Sequence, residues 1–109
     1  MAKIAYFATP HDVSISRGIV NVLRDNLGHA VTVIKKKEVL LYTLSDYDLV
    51  IFFGDGRDFI DWIEVNIEKF SQILYICTFR PVFENGKFHV IENTFDMDQL
   101  KKKLKSILS

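Results

Sequence analysis

The sequence predicts an α/β protein: a three-layer sandwich with a five-stranded parallel sheet between two helical layers. Three observations carry this prediction. Five short apolar runs recur along the chain, and runs this continuous suit strands buried on both faces. Amphipathic stretches with helical spacing lie between them. Strands alternating with helices of ~10–15 residues imply right-handed βαβ crossovers and therefore parallel pairing. With 109 residues, one domain over 1–109 is expected.

The first run, KIAYFAT (3–9), is apolar and aromatic-rich, as a buried strand requires. PHDVSIS (10–16) follows as a loop whose Pro10, Asp12, Ser14 and Ser16 form turns and cap helices. ISRGIVNVLRDNL (15–27) spaces Ile15, Ile19, Val22 or Leu23, and Leu27 along one helical face. Gly28 stands where a helix ends in the left-handed conformation. HAVTVI (29–34) is the second strand, and 35–47 reads as a short helix or an edge crossing. DLVIFF (48–53) is the most apolar run and belongs at the sheet centre. GDGRD breaks it, and a helix follows with Ile60, Ile63, Ile67 and Phe70 as its inward stripe. QILYICTF (72–79) is the fourth strand. RPVFENGK turns at Asn85-Gly86. FHVIE (88–92) is the fifth strand. DMDQLKKKLKSIL (96–108) closes the chain as a helix with Leu100, Leu104 and Ile107 or Leu108 inward and lysines outward. This is the doubly wound pattern of flavodoxin-like and Rossmann-like domains.

Composition narrows the function. The chain is 49% hydrophobic and 26% charged with zero formal net charge, so no global field attracts nucleic acid or a membrane surface. No apolar run reaches the ~18–20 residues of a membrane span. A single cysteine excludes an internal disulfide. A soluble cytoplasmic protein is expected, with neither nucleic acid nor membrane as a partner.

In such sheets ligands bind beyond the carboxyl ends of the strands, at the point where the strand order reverses. The segments there are FATPHD, FGDGRD and TFRPVF. They offer Thr9, His11, Asp55, Gly56, Arg57 and Arg80 as candidate substrate-binding residues. Either arginine could clamp a phosphate through two parallel hydrogen bonds. Asp58 suits the N-cap of the following helix, with Asp61 three residues on. Asp61, Glu64 and Glu68 share one face, and no cation three or four residues from Glu64 offsets them. Carboxylates clustered at a cleft mouth could serve nucleophilic and proton-transfer chemistry at a sugar; the alternative is a solvated acidic face.

Several strings resemble the nucleoside 2-deoxyribosyltransferase-like superfamily. These are Tyr6-Phe7-Ala8-Thr9-Pro10, Leu27-Gly28-His29-Ala30-Val31, Asp48-Leu49-Val50-Ile51 and Trp62-Ile63-Glu64-Val65, with Gln72-Ile73-Leu74-Tyr75 at the expected spacing. The resemblance implies N-glycosidic bond processing on a nucleoside or nucleotide, by transfer or hydrolysis. Glu64 would be the nucleophile, Asp58 the acid at the base and Tyr6 the residue orienting Glu64. It also implies no cofactor, no metal and a homodimer or larger homo-oligomer. The family's Gly-Thr pair before the glutamate is Ile60-Asp61 here, and its following glycine is Asn66. Substrate approach therefore loses its glycine backbone, and a member reduced to binding is the weaker form of this expectation.

The chain also resembles response-regulator receiver domains through DYDLVIFF and NTFDMDQLKKKLKSIL. There the phosphoacceptor position is Phe53, the acidic pair is Ala8-Thr9 and the lysine position is Asn93. A phenyl ring accepts no phosphoryl group, and no carboxylate cluster remains for Mg²⁺. This resemblance implies an unphosphorylated protein-interaction module. A flavodoxin-like binding role is weaker, since the 9–16 loop lacks a dense phosphate cradle although Thr9, Ser14 and Ser16 could contact a phosphate.

The remaining candidates have plain readings. Cys77 is a small buried hydrophobe. His11, His29 and His89 are too scattered for a metal site. His29 falls at the opposite end of the sheet from the ligand loops and reads as structural. Lys35-Lys36-Lys37 and Lys101-Lys102-Lys103 read as solvated faces and edge protection. Trp62 fits either the core or an interface.

Overall fold

Five parallel strands form the sheet: β1 Lys3–Phe7, β2 Ala30–Ile34, β3 Leu49–Phe53, β4 Ile73–Cys77 and β5 Phe88–Glu92. Their order is β2-β1-β3-β4-β5, the flavodoxin-like arrangement. The computed structural model describes residues 2–7, 13–35, 39–40, 43–53, 57–77, 82–92 and 96–108, with the side chains of 13–16 and 57–59 also outside it. The helices are α1 Val13–Asn21, α2 Arg57–Val65 and α3 Met97–Leu108. Residues 39–40 and 43 are helical and lead into a 3-10 turn at Leu44–Asp46. Of the ambiguous 35–47 stretch, the described residues 39–40 and 43–46 are thus helical.

Strand side chains alternate between faces, and the core divides accordingly. Ile4, Tyr6, Leu49, Ile51, Leu74, Ile76 and Ile91 point to one face, where Ile19 and Leu23 meet Leu100 and Leu104 of α3. Ala5, Phe7, Val50, Phe52, Ile73, Tyr75 and Cys77 point to the other, under Leu40, Leu44, Ile63 and Phe70. So α1 and α3 cover one face of the sheet and α2 covers the other. β3 lies between β1 and β4, the central place its apolarity predicts. Its Phe52 is an aromatic hub, with ring centroids 5.6 Å from Phe7, 6.2 Å from Phe70, 6.3 Å from Trp62 and 6.4 Å from Tyr75. Trp62 is therefore a core residue, edge-on to Phe52 and to Phe70.

The helix expected over 15–27 is α-helical only to Asn21 and then widens into a π-turn at Val22–Asn26. This places Leu23 fully inside beside Ile19, with Val22 half-buried. Leu27 N–H donates to the Val22 carbonyl and His29 N–H to that of Leu23. Gly28 closes the turn at φ 71°, the left-handed geometry its position predicts.

At the amino end of the sheet, hydrogen bonds hold β1 in place. Ala2 N–H donates to His29 Nδ1 at 3.1 Å, and Lys3 N–H donates to Asp48 Oδ2 at 2.9 Å. The Arg24 guanidinium donates to the Val31 carbonyl at 2.7 Å and ties the π-turn to edge strand β2. His29 thus has the structural role its position suggested. The Asn85-Gly86 turn forms as expected, with Phe88 N–H on the Asn85 carbonyl and Lys87 N–H on Asn85 Oδ1.

Candidate functional site

The strand order reverses between β1 and β3, because the chain leaves β1 for β2 on one side and every later crossover runs to the other. The described residues at the carboxyl ends of these two strands are Phe7, buried, and Phe53, half-buried. β4 ends in buried Cys77, whose Sγ lies 3.9 Å from the Ile91 carbonyl oxygen. The structural reading of Cys77 holds. Glu92, at the end of β5, is exposed and is the only ionisable side chain other than this thiol among the five described strand ends. Among the described residues, no three His, Cys, Asp or Glu side chains are placed to hold a metal ion.

Tyr6 and Glu64 are not brought together. Tyr6 is fully buried in the cluster beneath α1 and α3, whereas Glu64 is exposed on α2, over the opposite face of the sheet. Residue parity causes this: Tyr6 shares its face with Ile4, and the crossover from β3 to β4 carries α2 to the other layer. Asp58 is the second residue of α2. It lies within the first turn rather than at the N-cap, because helical backbone already begins at Arg57 and a cap residue is non-helical. Its placement near the helix start still gains from the macrodipole. Arg57 opens α2, and its side chain lies outside the described residues, as does that of Asp58. Thr9, His11, Asp55, Gly56 and Arg80 also lie outside the described residues.

Asp61, Glu64 and Glu68 are all exposed; the first two lie on α2, which ends at Val65, and Glu68 lies in the 3-10 turn Ile67–Lys69 beyond it. Val65 stands among them with 83% of its surface exposed.

A cavity that the sequence reading missed lies at the amino end of the sheet. It measures about 410 Å³ and is lined by Leu27, His29, Lys101, Leu104, Lys105 and Leu108. Leu27 and His29, just past the π-turn, form one wall, and the last two turns of α3 form the other. The only sequence signal was the spacing Lys101, Leu104, Lys105, Leu108, which had been divided between a core stripe and a solvated face. Lys101 and Lys103 are in fact half-buried, and only Lys102 and Lys105 of the run are exposed.

His89 Nε2 lies 2.8 Å from Gln72 Oε1, which accepts its hydrogen bond. Burial, and secondarily the Lys103 ammonium, holds the His89 imidazole below its ordinary value of 6.5.

No protein-family model matches the chain, and no curated protein matches it. A solved structure does: a response regulator receiver domain protein from Bacillus halodurans C-125. It superposes with a TM-score of 0.74 over 96% of this chain and 95% of that one, at 17% sequence identity. The two chains share a fold. The likeness is one of fold, and the nucleoside deoxyribosyltransferase-like resemblance finds no support among the comparisons. No helix among the described residues is long and apolar enough to cross a membrane.

Proposed function

We propose that this chain is a receiver-fold protein-interaction module that works without accepting a phosphoryl group. The observation carrying this reading is Phe53. It is the last residue of β3, on the strand next to the switch point, and half-buried against the cluster beneath α1 and α3. A receiver uses that position for a carboxylate nucleophile, and a phenyl ring has no lone pair to attack phosphorus. Ala8, Thr9 and Asn93 stand in sequence where a receiver's acidic pair and lysine belong, so the charges that would hold Mg²⁺ and a phosphoryl oxygen are missing as well. What remains of the fold is a rigid sheet presenting helical surfaces of contrasting charge. The nucleoside-processing reading needs Tyr6 beside Glu64, and their separation by the sheet gives it no support.

The test is incubation with acetyl phosphate and Mg²⁺, read by intact mass, together with thermal melting in a panel of nucleosides and nucleotides. The expected result is no phosphoryl adduct and no ligand-induced rise in melting temperature. A covalent phosphoryl adduct refutes the reading. So does a nucleotide that stabilises the fold, since ligand at 100 times its Kd should add about 2.7 kcal/mol.

A further inference from the structure

The groove at the amino end of the sheet and the exposed face of α2 are complementary in both shape class and charge. The groove has an apolar floor of Leu27, Leu104 and Leu108, with Lys101, Lys105 and His29 around it. Among the described residues, no carboxylate lines it. The His29 ring accepts the Ala2 N–H through Nδ1, so its Nε2 carries the proton and acts as a further donor. On α2 and the 3-10 turn Ile67–Lys69 that follows it, the pattern is reversed. Val65 is an apolar knob, 83% exposed, set among the exposed carboxylates of Asp61, Glu64 and Glu68. Lys69 is the one basic side chain between Ile60 and Phe70. The helix bearing the groove carries Lys101, Lys102, Lys103 and Lys105 against a single Asp98. A chain with no net charge has therefore sorted its charges between two helices on opposite faces of one sheet.

We infer that the groove between the π-turn and α3 is a docking site for the α2 face of a second copy of this chain, with Val65 entering the leucine floor and Glu64 and Glu68 meeting Lys101 and Lys105. This rests on the interaction-module reading and names a partner for it. The lysine stems lie along the floor while their ammonium groups reach the incoming carboxylates, as long cationic side chains do at apolar surfaces. Complementary potentials fix orientation and speed encounter. The contact is heterologous, because donor and acceptor surfaces lie in different layers of the same molecule. A rigid pair cannot satisfy both contacts at once, so copies add head to tail.

Sedimentation velocity over a micromolar to millimolar series, at low and at high salt, tests this. The wild-type chain should associate beyond a dimer, and salt should suppress it, since exposed charges are screened within ~8 Å at physiological ionic strength. Lys101→Glu/Lys105→Glu and Glu64→Lys/Glu68→Lys should each weaken self-association by at least about tenfold. Mixing the two variants should restore a complex, because each keeps the surface the other has lost. Val65→Asp should also abolish association, while Lys102→Glu, the same charge change outside the groove, should not. Circular dichroism and melting temperature report whether each variant is folded. Wild type that stays monomeric throughout the low-salt series overturns the inference. So does association that survives both charge reversals, or that stops at a dimer. None of these outcomes produces a phosphoryl adduct, so the inference can fail while the reading of the module stands.

Discussion

Replacing Phe52 with alanine tests the central packing claim. Phe52 lies mid-sheet on β3, is 2% exposed and has four aromatic rings with centroids between 5.6 and 6.4 Å away. Truncating a buried phenylalanine costs about 3–5 kcal/mol, the upper end applying where the surroundings cannot collapse into the space. Collapse is restricted here. Two of the neighbours, Phe7 and Tyr75, are fixed by strand register on β1 and β4, and Trp62 and Phe70 also hold each other edge-on at 5.9 Å. Aromatic pairs add roughly 0.5–1.5 kcal/mol beyond area burial, so losing several at once pushes the cost upward. The expected loss is therefore about 4–5 kcal/mol, against a total of roughly 5–15 kcal/mol for a domain of this size. Urea unfolding followed by far-UV circular dichroism and by Trp62 fluorescence should show a much lower midpoint with the slope unchanged. A loss below about 2 kcal/mol at constant slope would mean that the rings around Phe52 do not form one packed cluster.

Two further outcomes follow from local geometry. Gly28→Ala should cost about 1–2 kcal/mol in thermal or chemical unfolding, because φ of 71° strains an L side chain even though a Cβ there would meet nothing within 4 Å. Gly28→Asn should cost less, since asparagine tolerates that region, and equal losses for the two would contradict a conformational cause. For His89, the folded-state value lies below the unfolded 6.5, so the unfolded chain binds more protons in the interval between them. Stability should be full above pH 6.5 and decline as pH falls through that interval; His89→Gln should flatten the slope, and an unchanged melting-temperature profile would remove His89 as its source.

The parallel sheet was legible because burial on both faces leaves a continuous apolar run in its inner strands. That mark is clear in the central strands, where IFF and ILYIC are continuous apolar runs, whereas the edge strands β2 and β5 are exposed in part, β5 nonetheless occupying the predicted 88–92. Helix faces were legible where period 3.6 held: Ile63 on one side of the sheet and Leu100 and Leu104 on the other are buried as spaced, whereas α2 ends at Val65 and Phe70 is buried beyond a 3-10 turn at Ile67–Lys69. The π-turn was not legible, because one residue too many in a turn leaves Ile19, Leu23 and Leu27 looking like an ordinary i, i+4, i+8 stripe. Tyr6 and Glu64 were paired only through the deoxyribosyltransferase-like resemblance; strand order and crossover hand, which short motifs do not encode, put them over opposite faces of the sheet. The groove was hidden in the same way, since Leu27 and Leu108 are 81 positions apart and meet only once the first and last helices share a face.

β1 sits between β2 and β3, hydrogen-bonded to both, although it is the earliest strand in the chain. Its second neighbour is reached only through Leu49, some forty residues downstream of Phe7. During synthesis this strand must wait, with one side unpaired, until some forty further residues have followed it. Without it, the assembly falls into a lone β2 ribbon and a three-stranded remnant that share no ladder. The keystone of the layer is thus made before it can be locked, and its second ladder closes only at the entropic cost of a loop of that length.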